Sequence, residues 1–134
     1  MNKGENKMNY ETIINNINSG AYNNKMKYPM DAFLSENYIF DENLSVKENR
    51  KMVEEHNQKI KDEKQKYRNE TIRITDKFHK DVVDYLIQNF KLNKAQAELI
   101  LSNAYADGHS GGYYEVFHNA DTMADRYIDI FNLG

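Results

Sequence analysis

The chain of 134 residues has no cysteine, no tryptophan and a single proline. Without cysteine there is no disulfide, no thiolate metal site and no cysteine nucleophile, and the composition suits a reducing compartment. No apolar run approaches the roughly 20 residues that a membrane-spanning helix needs. The opening stretch MNKGENKMNYE lacks the apolar core of a signal peptide. The expectation is a cytoplasmic protein without membrane association. Charge of one sign is also scarce: the net is −3. Aliphatic and aromatic residues suffice for a core, so the chain reads as one folded domain.

Catalytic signatures are missing as well. The four histidines, His56, His79, His109 and His118, form no H-x-x-x-H or H-E-x-x-H pair, so no metal site is expected. His79 with Asp76, or His118 with Asp121, reads as a helix-surface pair. Glu54-Glu55 is followed by Gln58 where a magnesium-binding helical hydrolase would need a third carboxylate. Around His109-Ser110-Gly111-Gly112 there is no G-x-S-x-G elbow and no Walker lysine. This run is expected to be a turn, with Gly108 as a left-handed C-cap, Ser110 capping the next helix, and Gly111 and Gly112 allowing close approach. The chain is expected to be no enzyme and to need no cofactor.

What is present is a long charged helix. Ser45-Val46-Lys47-Glu48 is a capping box. After it Val46, Val53, Ile60, Tyr67 and Ile74 recur every seven residues, and neither glycine nor proline interrupts the run to Phe90. The other seam position is polar (Asn49, His56, Glu63, Glu70), so the stripe is thin for a coiled coil. From Ile72 it broadens through Phe78, Val82, Val83, Tyr85, Leu86 and Phe90 into a buried, globular-type face. A continuous 45-residue helix would span about 67 Å, against a domain diameter near ~36 Å. The sequence therefore predicts a break or bend near Arg68–Thr71, close to residue 69, or a projecting arm. The arm meets either the N-terminal aromatics Phe33, Tyr38 and Phe40 or a second chain. Residues 46–77 carry ten basic and seven acidic groups, while 78–134 carry four and eight. Such mixed signs read as a solvated face with pairs such as Glu55–Lys59 and Asp62–Lys66, rather than as a phosphate-binding surface.

The flanks complete an all-α expectation. Residues 10–18 form a short helix burying Tyr10, Ile13, Ile14 and Ile17, stopped by Ser19-Gly20. Residues 21–29 are irregular, and 30–40 form a short helix or, toward their end, a strand. Asn93-Lys94-Ala95-Gln96 is a second capping signal, opening a helix to about Asp107. The last helix, 113–132, buries Tyr113, Val116, Phe117, Ala120, Met123, Ala124, Tyr127 and Phe131. In outline, residues 1–44 hold the short helix and the irregular aromatic segment. Residues 45–134 hold the long helix packed on a C-terminal helical hairpin, all within a single domain.

Three surfaces are candidates for binding. Asp121, Asp125 and Asp129 recur every four residues on the last helix, with His118 just before them. Like charges at this spacing repel, and such a stripe suits a basic protein surface. Tyr28 and Tyr38 are candidates on the aromatic segment. The stripe Val46, Val53, Ile60 and Tyr67 is the candidate for self-association into a homo-oligomer. A weaker alternative is nucleic-acid binding through Lys59, Lys61, Lys64, Lys66 and Arg68.

The order of parts resembles a loose family of small, uncharacterised bacteriophage and mobile-element proteins with a "GHS-G-Y-EV" helical turn. The matching residues are Gly108, His109, Ser110, Gly112, Tyr113, Glu115 and Val116, preceded by Lys94-Ala95. The resemblance covers residues 46 to the end. It implies an accessory protein acting in the host cytoplasm, and some such proteins inhibit host defence, as anti-CRISPR proteins do. The implied partner is a host protein, a defence nuclease or its nucleic-acid complex, blocked by occlusion. No functional residue is carried over from the resemblance.

Overall fold

In a computed structural model the chain is described at residues 8–29, 32–38, 40–108 and 111–133, with side chains described as far as Tyr127. The fold is all-α. Helix α1 covers Tyr10–Ser19, α2 Val46–Phe90, α3 Lys94–Gly108 and α4 Gly112–Leu133. No strand occurs among the described residues.

Each helix begins where its local chemistry directs. Asn9 caps α1 by accepting from the Thr12 amide at 2.9 Å. Gly20 ends that helix in the left-handed region at φ 82°. At the start of α2 the Ser45 amide donates to Glu48 Oε1 and the Glu48 amide donates to Ser45 Oγ, both at 3.0 Å. These bonds hold the Glu48 carboxyl below its usual range. The same reciprocal pair recurs at Asn93 and Gln96, at 3.0 and 2.8 Å. Between α2 and α3 the chain reverses at Lys91, a non-glycine residue at φ 57°.

Helix α2 is unbroken through Arg68–Thr71, so no break is needed near residue 69. The chain nevertheless divides into two compact units, Met1–Asn23 with Ile74–Gly134, and Asn24–Arg73. Helix α2 supplies residues 74–90 to the first and 46–73 to the second.

The first unit is built on a conventional core. Phe78, Val82 and Leu86 of α2, Ile100 and Ala104 of α3, Phe117 and Ala120 of α4 and Ile13 of α1 are fully buried together. Helix α4 packs on α3 and on α1. The broadened face predicted from Ile72 onward starts instead at Ile74, because Ile72 is exposed. Tyr10 is only partly covered, at 36% exposed, with its ring edge-on to Tyr85 and tilted against Phe117.

Gly108 is not a left-handed cap. It is buried as the last residue of α3, and a Cβ there would lie 2.5 Å from Asn119 Nδ2 and 3.3 Å from Glu115 Cγ. Helices α3 and α4 approach closely at Gly108. Of the two glycines expected to allow that approach, Gly111 is crowded by the Glu115 side chain, whereas Gly112 has nothing within 4 Å and instead supplies the left-handed backbone at φ 82°. The expected roles of His109 and Ser110 lie outside the described residues.

In the second unit the described residues 32–38 form no helix; they are irregular and then turn. Met30, Asp31 and Ile39 lie outside the described residues. The predicted pairs Glu55–Lys59 and Asp62–Lys66 do not form: Asp62 accepts from Gln58 Nε2 at 2.8 Å instead.

Candidate functional site

The described residues 24–29, 32–38 and 40–44 of the second unit form a strap running antiparallel along the 46–73 arm of α2. Three asparagines fix its register. Asn24 Nδ2 donates to the Tyr67 carbonyl and the Thr71 hydroxyl, both at 2.9 Å. Asn57 reads both backbone groups of Leu34: its Oδ1 accepts from the amide at 2.7 Å and its Nδ2 donates to the carbonyl at 3.1 Å. Asn49 does the same for Asp41 at 2.8 and 3.0 Å, and also donates to the Ser45 carbonyl at 3.0 Å. Asn57 and Asn49 thus supply what a neighbouring strand would supply, satisfying backbone groups the strap cannot satisfy itself, while Asn24 ties the strap to groups of the helix. Arg50 adds an exposed ion pair to Glu36 at 2.6 Å.

Beneath the strap lie Val53 and Ile60, 7% and 2% exposed. Of the predicted self-association stripe, then, two members are covered within the chain's own unit. Tyr67 is half-buried with its ring 5.0 Å from that of Tyr28, and Val46 stays exposed. The arm meets the N-terminal segment, but that segment's aromatics do not turn inward. Phe33 has only Lys64 Nζ over its face at 5.2 Å, Phe40 is exposed, and Tyr38 is 77% exposed. The arm also buries His56 Nε2 without a hydrogen-bond partner, the one such side-chain atom among the described residues.

Eight large apolar or aromatic side chains of this unit face out: Met26, Tyr28, Phe33, Tyr38, Phe40, Val46, Met52 and Ile72. Among the described residues of the other unit only Tyr10, Leu99 and Tyr114 do so, although that unit is the larger. Exposed apolar side chains scattered singly need no explanation; their concentration on one small unit does.

Asp121 and Asp125 of the acidic stripe of α4 differ in their surroundings. Asp121 is half-buried and accepts a short hydrogen bond from the Tyr85 hydroxyl, so it serves the core of the first unit. Asp125 and His118 are exposed, with His118 stacked 6.0 Å from the Tyr114 ring. The side chain of Asp129 lies outside the described residues, as does that of Phe131.

Two further polar contacts brace the first unit. The Tyr22 hydroxyl donates to Asp81 Oδ2 at 2.7 Å, and Lys77 pairs with the same oxygen at 3.0 Å. His79 Nε2 and the Tyr105 hydroxyl are 2.8 Å apart. Burial pushes the Tyr105 hydroxyl up to about 12 and raises Tyr22 and Tyr85 as well, their carboxylate partners adding to the effect. Burial lowers His79 despite the opposing charge of Asp76. Neither Asp76 with His79 nor His118 with Asp121 belongs to a cluster able to hold a metal, and no such cluster occurs among the described residues. No helix among them is long and apolar enough to cross a membrane.

The fold and surface define an all-helical protein with a core-bearing unit and a second unit of strap and helix. The chain belongs to a family of unknown function (DUF8546), which it matches over residues 11–133. No curated protein and no solved structure matches it.

Proposed function

We propose that this chain is a non-enzymatic binding protein whose 24–73 unit supplies the interface to another protein. The observation that carries this reading is the crowding of exposed aromatic and apolar side chains on that unit. Tyr, Phe and Met are the residues that interface centres favour, and the mixed lysines and carboxylates of α2 around them resemble a polar rim. The finer reading is a cytoplasmic accessory protein of a phage or mobile element that binds a host defence nuclease, such as a CRISPR effector, and blocks it by occlusion. That part rests on the resemblance of the Gly108–Val116 turn. In this reading Tyr28 and Tyr38 anchor the partner, and Asp125 with His118 offers a separate acidic contact for a basic surface.

A second reading is self-association through the same exposed side chains. Val46 and Met52 favour it, since both sit exposed beside the covered Val53.

Target-DNA cleavage by purified CRISPR effector–guide complexes tests the first reading. Stoichiometric wild-type chain is expected to inhibit at least one effector, and the Tyr28→Asp/Tyr38→Asp variant to need at least tenfold more protein. Absence of inhibition by excess protein across effector types removes the nuclease. Full inhibition by the double variant removes this surface. Light scattering that gives one concentration-independent monomer mass removes self-association.

A further inference from the structure

In the first unit a trough of about 830 Å³ runs between the 76–87 stretch of α2 and the 94–105 stretch of α3. The short connector after Phe90 sets these helices side by side in opposite directions. Each wall is three turns long, about 16 Å. Val83, Ile87 and Leu101 supply an apolar floor, and the hydrogen-bonded His79–Tyr105 pair lies at one end. Two helical walls over an apolar floor match the apolar stripe of a third helix of equal length.

The charges along the trough say which helix. Lys80 is held by Asp84 at 2.8 Å, so that pair is internally neutral. Three other charges of the lining, Asp76, Glu98 and Lys94, have no ion-pair partner among the described residues. Asp76 stands at the His79 end, Glu98 midway and Lys94 at the opposite end. A helix carries partial positive charge at its N-terminus and partial negative charge at its C-terminus. A docked helix with its N-terminus toward Asp76 and its C-terminus toward Lys94 satisfies both ends. A basic side chain at its middle then meets Glu98.

We propose that this trough binds a basic amphipathic helix of a partner protein, laid parallel to α2. It is a different surface from that of the 24–73 unit, and its test does not depend on that one. Because the chain has no cysteine, Asn103→Cys beside the α3 rim gives a single thiol for an environment-sensitive dye. The full-length labelled chain is titrated with a helix-stapled Leu/Lys amphipathic peptide of about 12 residues, the length of the walls, and with its Leu/Glu counterpart. The Leu/Lys peptide is expected to bind at least tenfold tighter, and the Asp76→Lys/Glu98→Lys variant to reverse that order. Glu11→Lys/Asp107→Lys makes the same change of net charge at exposed positions outside the trough and is expected to leave the order intact. Circular dichroism checks that both variants keep their helix content. Equal binding of the two peptides, no dye response to either, or equal effects of the two double variants would overturn the proposal.

Discussion

The two units of this chain use the same long helix in opposite ways. Residues 74–90 of α2 present a broad apolar face, which is buried by side chains of α1, α3 and α4. Residues 46–73 present a narrow stripe with an asparagine, Asn49, in the seam, and the strap is tied to it through backbone groups held by Asn49 and Asn57. In the first unit, specificity comes from packing: Phe78 meets Tyr22 and Tyr113 ring to ring, at 5.1 and 4.5 Å. In the second it comes from amide groups that hold the strap to the helix, over two buried apolar side chains. Burial contributes about 1.5–3 kcal/mol for each large apolar side chain, while a net hydrogen bond contributes about 1 kcal/mol. The strap is therefore held more weakly than the core, and it leaves Met26, Tyr28, Phe33, Tyr38 and Phe40 largely or partly exposed.

The sharpest way to break the contrast is to remove a core side chain. Phe78 is fully buried, so Phe78→Ala is expected to cost about 3–5 kcal/mol. Chemical denaturation followed by circular dichroism reads this loss, and a shift below 1 kcal/mol would mean that the core does not rest on that ring.

Alkaline pH probes the same unit from its polar side. Tyr22, Tyr85 and Tyr105 are all raised in the folded state, whereas unfolded tyrosines ionise near pH ~10. Above that pH the unfolded chain releases protons that the folded chain retains. The stabilisation is thus fully present below pH ~10 and is lost as pH rises through the folded values, for Tyr105 about 12. Tyr22 and Tyr85 are buried, and each contributes a slope of up to about 1.4 kcal/mol per pH unit. Urea midpoints measured between pH 9 and 11 are expected to fall less steeply for Tyr22→Phe than for the wild type; parallel curves would show that Tyr22 is not involved.

A smaller effect is expected where the strap is anchored. Asn49 is 1% exposed and serves Asp41 through both its oxygen and its nitrogen. Asn49→Ala leaves those backbone groups without partners, at about 1–3 kcal/mol. Hydrogen exchange is expected to accelerate across residues 40–44 while Phe78 to Leu86 keep their protection. Equal acceleration in both places would mean that the two units unfold as one.

How much of this was legible follows the range of the interactions. Both capping boxes, the Gly20 stop and all four helices were readable, because each depends on residues within one or two turns. The strap was not. Asn49 and His56 looked like faults in a coiled-coil seam, since periodicity records that a seam position is polar but not that its amide can grip a backbone eight residues upstream. Asn57, outside the seam altogether, carried no signal. The acidic stripe shows the same limit: a four-residue spacing groups Asp121 with Asp125, but does not show that Asp121 also accepts from Tyr85, 36 positions away. The Gly108 turn was placed correctly and explained wrongly, because the close approach of two helices and a left-handed cap ask for the same residue.

His56 offers the finest test of the contrast. Its Nε2 is buried without a partner in the unit that can least afford the loss. The neighbouring buried side chains on the arm are Val53 and Ile60. A leucine at position 56 removes the unpaired nitrogen and keeps much of the volume. His56→Leu is expected to stabilise the 24–73 unit by about 1 kcal/mol. The readout is slower hydrogen exchange in the strap, with no change at Phe78 to Leu86. Faster strap exchange in this variant would mean that the imidazole, through contacts made by its other atoms, helps to hold the strap, and the contrast between a satisfied core and an under-satisfied arm would then lose its clearest instance.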